Sequence, residues 1–298
     1  MQPLTLRLPA TSANLGPGFD ALGLAMRLYL NIEAREADET RIRASGRNAD
    51  LVASLERNLI LTTYRDLAPD APHLSLTIEN EIPLGMGCGS SAAALLAGVY
   101  LANHFGQLGL TRQQVLEEAC VREGHPDNVA ACFHGGMTVS SMQGREVTTA
   151  TFGRNLPWRL LLALPAASLA TQKARALLPD SYSRADAVAN IQATALLVAS
   201  FAQKRPDFLV RATRDRLHQP YRGDACPLLP ALLPLGGTGD FHSVTLSGAG
   251  PSVLLIAREN ASKPALLAAI RKCAGDPELE VVETTIHTGQ TDISEEHE

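Results

Sequence analysis

Aromatic residues are scarce, 4% of the 298 residues with a single tryptophan, and cations do not dominate: 26 Lys and Arg stand against 31 Asp and Glu, a formal net charge of −5. A nucleic-acid surface needs clustered cations and rings on which bases stack, so that class is excluded and a small-molecule partner is expected. No run of about 18 uncharged apolar residues occurs, so no membrane span is expected. The opening MQPLTLRLPA also lacks the basic region and apolar stretch of a secretory leader. Cysteine is sparse and badly spaced for bridging. Cys88, Cys120, Cys132, Cys226 and Cys273 are odd in number and contain no C-x-x-C pair, which argues against disulfides or zinc and for reduced thiols in a cytoplasmic protein. No internal repeat or low-complexity segment is present. What remains, 45% apolar and 19% charged residues, is the composition of one large or two ordinary globular domains.

Glycine is ample, and its placement matters most in Ile82 to Ala94, IPLGMGCGSSAAA. Gly85, Gly87 and Gly89 let the backbone take positive φ and turn N–H groups toward a bound anion. Ser90 or Ser91 is expected to cap the following helix, which runs from Ser91 to about His104 and aims its positive dipole end at the same place. The G-K-[ST] ending of a Walker loop is absent and the spacing is G-x-G-x-G, so this is a different phosphate loop. Taken alone, the stretch could equally be a glycine turn before a buried Ala/Leu helix.

Leu4, Leu6 and Leu8 alternate as a strand, Pro9 to Asp20 breaks every regular pattern, and Leu22 to Glu36 is extended again. Asn58 caps a helix through Leu67, and Leu74, Leu76 and Ile78 form a strand leading into the glycine loop. Thr111 with Gln114 is a capping box for a helix that buries Val115, Leu116, Ala119 and Cys120 and ends at Gly124. Glu123 therefore sits at the negative end of that helix, where a cation should compensate it: Arg122 or another arginine on the plain reading, a metal ion on the functional one. His125 to Asn128, HPDN, follows, with Asp127 expected to cap a short helix to Cys132. A strand near Gly136 to Ser140 comes next. A new apolar strand at Trp158 marks a domain boundary. Beyond it come helices at Ser183 to Ala202 and Pro206 to Arg214, strands at Val244 to Leu246 and Ser252 to Ala257, a helix at Lys263 to Cys273, and a strand at Leu279 to Thr284. The tail from His287 reads as frayed.

Three segments in order, PATSANLGPGFDALGLA (9–25), PLGMGCGSSAAA (83–94) and LSGAGPS (246–252), resemble the three motifs of the GHMP kinases. Within that superfamily, ANLGPGFD, EGHPDN (123–128), SRADAVAN (183–190) and HQPYR (218–222) are similar to segments of the homoserine kinase family. The resemblance implies an α+β fold of two domains. Residues 1–155 would be ribosomal-protein-S5-like with a left-handed β-α-β unit, residues 156–298 ferredoxin-like, and nucleotide would lie in the cleft between them. It implies transfer of the ATP γ-phosphate to the hydroxyl of L-homoserine, a step of threonine biosynthesis. The partners would be ATP, Mg²⁺ and homoserine, with no nucleic acid and no membrane, and a homodimer is admitted. Carried over, Pro83, Leu84, Gly85, Met86, Gly87, Cys88, Gly89, Ser90, Ser91, Ala92 and Ala93 become the triphosphate cradle, with Ser91 and Glu123 on Mg²⁺ and Ser90 and Glu117 as their alternates. Asn14, Asp20, His125, Arg184 and Arg222 become the homoserine site. Asn128 falls where some relatives carry a catalytic aspartate, and an amide cannot take the substrate proton. Another GHMP kinase, or a nucleotide-binding relative without activity, are the competing readings. The first is disfavoured by the missing aspartate and the paired arginines, the second by intact Glu123 and both serines.

Overall fold

The computed structural model describes residues 1–56, 58–169 and 171–295. Leu4, Leu6 and Leu8 are buried along β1 (Leu4–Asn14), which pairs antiparallel with the long β2 (Gly18–Ala37). The expected irregular stretch from Pro9 to Asp20 is thus mostly strand, and the turn is confined to Leu15, Gly16 and Pro17. Register shifts at Pro9/Ala10 and Ala13/Asn14 accommodate a proline that cannot donate to the ladder. Asn14, Leu15 and Asp20 hold φ of 66, 49 and 55°, uncommon for side-chain-bearing residues.

β2 organises the first sheet. It pairs with β4 (His73–Asn80) on one side and, near its start, with β5 (Met137–Gln143), which continues to β6 (Glu146–Phe152). β3 (Arg41–Gly46) runs parallel to β4 after a crossover through α1 (Ala49–Val52) and α2 (Leu59–Leu67). Asn58 caps α2, its Oδ1 accepting from the N–H groups of Ile60 and Leu61. α3 (Ser90–Phe105) is buried nearly all round and packs on β1, α2, α4 (Arg112–Glu123) and α5 (Asp127–His134). The capping box at Thr111 and Gln114 and the left-handed Gly124 bound α4.

The second sheet has the order β10-β7-β9-β8, every pair antiparallel, from β7 (Arg159–Leu164), β8 (Phe241–Leu246), β9 (Val253–Ala257) and β10 (Glu280–Thr284). Helices between β7 and β8, chiefly α7 (Arg184–Ala202), and α11 (Lys263–Ala274) between β9 and β10 give the β-α-β-β-α-β order of a ferredoxin-like unit. α7 is long and apolar enough by composition to cross a membrane. Here, however, Leu197 and Phe201 are in the core and Asn190 is bonded to the carbonyl of Pro17.

The chain's end departs from the frayed tail. His287 and Thr291 are buried, and β11 (Asp292–Glu295) pairs antiparallel with β1, Ile293 standing opposite Leu6. The last strand therefore belongs to the first sheet, and a cut after residue 155 leaves it on the other side. Residues 296–298, the end of that tail, lie outside the described residues.

Candidate active site

The glycine loop is clamped where three distant segments meet. Gly85, Gly87 and Gly89 have φ of 68, 72 and 72°. A Cβ on Gly87 would lie 2.1 Å from the Ser247 carbonyl oxygen, and one on Gly89 1.8 Å from Thr11 Oγ1. The Thr11 N–H donates to the Cys88 carbonyl at 3.0 Å, Ser247 Oγ to that of Gly87 at 2.8 Å, and Ser252 Oγ to that of Met86 at 2.5 Å. Gly89 itself is the N-cap of α3, and neither Ser90 nor Ser91 caps it. The reason is space: only a residue without Cβ fits against Thr11 in this left-handed conformation. The hydroxyls of both serines are thereby left for the cleft, while Ala92 and Ala93 are buried in the core. The first N–H groups of α3, which have no partner among the described residues, and the helix dipole there suit an anion. Cys88 is a buried filler, its thiol pushed up to about 12 by desolvation, so it is no nucleophile at neutral pH.

Glu123 closes α4 beside this cradle, and its Oε2 accepts from Ser91 Oγ at 2.8 Å. Arg122, the plain candidate for its compensation, turns instead to Glu118 and Asp66. Burial raises the Glu123 pKa, against the Ser91 hydroxyl and the charge of His125. A carboxylate and a hydroxyl oxygen beside an anion cradle fit a hard divalent cation. Glu117 bonds Gln113 and does not line the cleft.

The opposite wall is a charged cluster. His125 Nδ1 lies 2.6 Å from Asp127 Oδ1, which also accepts the Asn128 N–H at 2.7 Å. Asp127 is the first residue of α5, which runs on to His134, and Pro126 is its N-cap. Burial disfavours a charge on His125, but the hydrogen bond and charge of Asp127 outweigh it and hold the pKa above its ordinary value. Asn128 Oδ1 accepts from Thr11 Oγ1 at 2.7 Å, which fixes the amide. Asp20 is paired through both oxygens with Arg175, at 2.8 and 2.9 Å. Arg222 is 1% exposed. Its Nε donates to the Ala174 carbonyl and its Nη1 to His218 Nδ1, while His218 Nε2 faces the Gly16 carbonyl. Desolvation and the neighbouring Arg175 lower the Arg222 pKa, although Asp20 opposes them. Asp20, His125 and Asp127 hold ligand atoms within 4.8 Å of one another. Both Asp20 oxygens are committed to Arg175, and Asp127 Oδ1 to His125 and the Asn128 N–H, so the three residues are held in a hydrogen-bond network.

A cleft of about 180 Å³ joins both walls and is lined by Asn14, Asp20, Gly85 to Ser91 except Met86, Glu123, His125, Asn128, Arg175 and Arg222. Arg184 is not among its lining residues. It opens α7 after the Ser183 cap, with an exposed side chain. Sequence reasoning missed Arg175, at the end of α6 (Thr171–Arg175), and Thr11, whose roles depend on partners far along the chain. It also missed an apolar pocket of about 240 Å³ beside the cradle, walled by Leu51, Val52, Leu59, Ile60, Ile82 and Leu84 and sharing Ser90 and Ser91.

A phosphate cradle at a helix start, facing a charged pocket between these two sheets, defines a small-molecule kinase of the GHMP class, and the GHMP kinase N-terminal domain model matches residues 58–136. The chain is 45% identical over 258 residues to the homoserine kinase of Solibacter usitatus, 84% of each protein. It is 35% identical over 306 residues to that of Bacillus mycoides, covering 100% of this chain and 99% of the relative. The chain belongs to the homoserine kinase family. The structure of a homoserine kinase from Cytophaga hutchinsonii matches 99% of this chain and 98% of its own with a TM-score of 0.80; at 23% identity, that likeness shows the shared fold.

Proposed function

We propose that this chain transfers the γ-phosphoryl group of ATP to the side-chain hydroxyl of L-homoserine, giving O-phospho-L-homoserine for threonine biosynthesis. The carrying observation is that the glycine cradle and the Asp20, His125 and Arg222 cluster line one cleft. The N–H groups of Gly85 to Ser91 hold the triphosphate, and the adjoining apolar pocket takes the adenine. A zwitterionic substrate needs an anion for its ammonium and cations for its carboxylate. Asp20 serves the first by exchanging Arg175 for the ammonium. Arg222 serves the second, joined by Arg184, which is exposed at the start of α7 and would have to turn toward the cleft when substrate binds. Arginine's planar fork suits a carboxylate.

Ser91 and Glu123 would hold Mg²⁺, which supplies neutralisation of the charge on the transferring phosphoryl group. Asn128 Oδ1 is occupied by the Thr11 hydroxyl, and an amide cannot act as a base. Rate then comes from alignment of the hydroxyl with the γ-phosphorus and from charge neutralisation, which a loose transition state permits. The protein works in the cytoplasm, a setting in keeping with its five free thiols. Exposed Val188 and Ile191, one turn apart on α7, favour a homodimer, which sedimentation would measure. The test of the activity is a panel of alcohols with Mg-ATP, read by ADP release. Homoserine should be preferred, and faster turnover of mevalonate or galactose would overturn the proposal.

A further inference from the structure

A second cavity of about 640 Å³, within the usual range for small-molecule pockets, lies on the far side of the short helix that carries Arg222. No step of the proposed reaction uses it. Val210, Leu229, Leu233 and Val244 make an apolar wall, and Val210 and Leu233 are 38% and 46% exposed there. Arg214 and Arg216 stand at the same cavity with exposed side chains, and neither guanidinium is bonded to a carboxylate among the described residues. Asp215 between them is committed elsewhere, accepting the backbone N–H groups of Leu217, His218 and Gln219. Ser243, 2% exposed, also lines the cavity, and its hydroxyl has no hydrogen-bond partner among the described residues. β8 is the edge of its sheet, and the Leu246 N–H turns outward to Gln219 Oε1. By the two-residue period of a strand, Val244 presents its N–H and C=O on the same side. Two cations without a carboxylate partner, unused edge groups and an apolar wall exposed at Val210 and Leu233 are complementary to an anion with an aliphatic body.

The cavity is tied to the catalytic cleft. α9 (Gln219–Arg222) gives Gln219 and Pro220 to the cavity and Arg222 to the cleft. The Arg216 N–H donates to Asn190 Oδ1, and Asn190 Nδ2 donates to the Pro17 carbonyl at 2.7 Å. The turn at Pro17 lies between Asn14 and Asp20, which line the cleft. We propose that this cavity is an effector site for a small aliphatic carboxylate held by Arg214 and Arg216, and that its occupancy alters homoserine affinity through α9 and the 15–17 turn. The coupling rests on the homoserine reading, whereas binding at the cavity does not.

Calorimetry on the full chain with 3-methylbutanoate as probe, and inorganic phosphate as the control anion, tests the binding. The probe should bind in about the millimolar range. Arg214→Ala with Arg216→Ala should weaken it about tenfold or more, while homoserine phosphorylation without probe stays unchanged. Saturating probe should shift the homoserine dissociation constant of the parent and leave that of the double variant alone. Absent binding, equal binding by the double variant, phosphate binding as tightly as the probe, or an unshifted homoserine affinity would each overturn the proposal. If the alcohol panel rejects homoserine while the probe still binds through both arginines, it is the kinase reading that fails.

Discussion

Replacing Gly89 with alanine would insert a methyl carbon at the tightest point of the cradle. The Cβ would lie 1.8 Å from Thr11 Oγ1, at a residue whose φ is +72°. An L-residue in that conformation costs about 1–2 kcal/mol. Thr11 must also swing away and give up its 2.7 Å hydrogen bond to Asn128, worth about 0.5–1.5 kcal/mol. The expected loss of stability is therefore about 1.5–3.5 kcal/mol. Urea unfolding would report it through Trp158, the single tryptophan, which is buried against Phe201. Turnover should fall further than stability alone suggests, about a hundredfold, because a cradle displaced by about 1 Å misaligns the phosphates. Adding Thr11→Ala removes the nearest atom and leaves the strained φ, so the double variant should recover part of the stability lost by Gly89→Ala. Parental stability and turnover in Gly89→Ala, or losses that simply add in the double variant, would refute this account of the loop.

Glu123→Gln should lower activity by about two or more orders of magnitude and abolish any Mg²⁺-dependent rise in Tm. Because burial raises the Glu123 pKa, its ionised form loses stability as pH rises from 4.5 through the folded value, so the apo variant should be at least as stable as the parent at neutral pH. Asp20→Asn, Arg222→Ala and Arg184→Ala should each raise the KM for homoserine about thirtyfold or more, with that for ATP little changed. A parental KM in Arg184→Ala alone, with a large rise in Arg175→Ala, would transfer the carboxylate to Arg175. The raised His125 pKa contributes stability that is full below 6.5 and is lost as pH rises through the folded value. His125→Asn should accordingly lower Tm more at about pH 6 than at about pH 9, and an equal loss at both would remove Asp127 as the cause.

What could be read from the chain alone was what local chemistry decides. Asn58 as a cap, Thr111 with Gln114 as a box, Gly124 as a stop and the alternating leucines of β1 each depend on neighbours a few residues away, and each stands in the structure. The misplacements share a different cause. Ser90 is a better cap than glycine by intrinsic preference, yet Thr11, 79 positions away, leaves room only for Gly89. β3 was missed because RIRASG is charged and has no buried residue, and it is a strand only because β4 pairs with it. Arg175 carries no local mark at all, since its importance comes from Asp20, on a hairpin 155 residues earlier.

The pairing of β11 with β1 also bears on the order in which the chain can be finished during synthesis. β11 occupies the outer edge of the first sheet, next to β1. A nascent chain therefore has β1 to β6 in hand while one flank of β1 still offers bare N–H and C=O groups to any strand that approaches. At roughly 5–20 residues per second, the 143 residues from Phe152 to Glu295 keep that flank open for roughly 7–30 s. The sheet made first is thus sealed by a strand made 143 residues after its own last one. A chain released before Asp292 should be held in chaperone complexes or aggregates even though every residue of the catalytic cleft has already been translated.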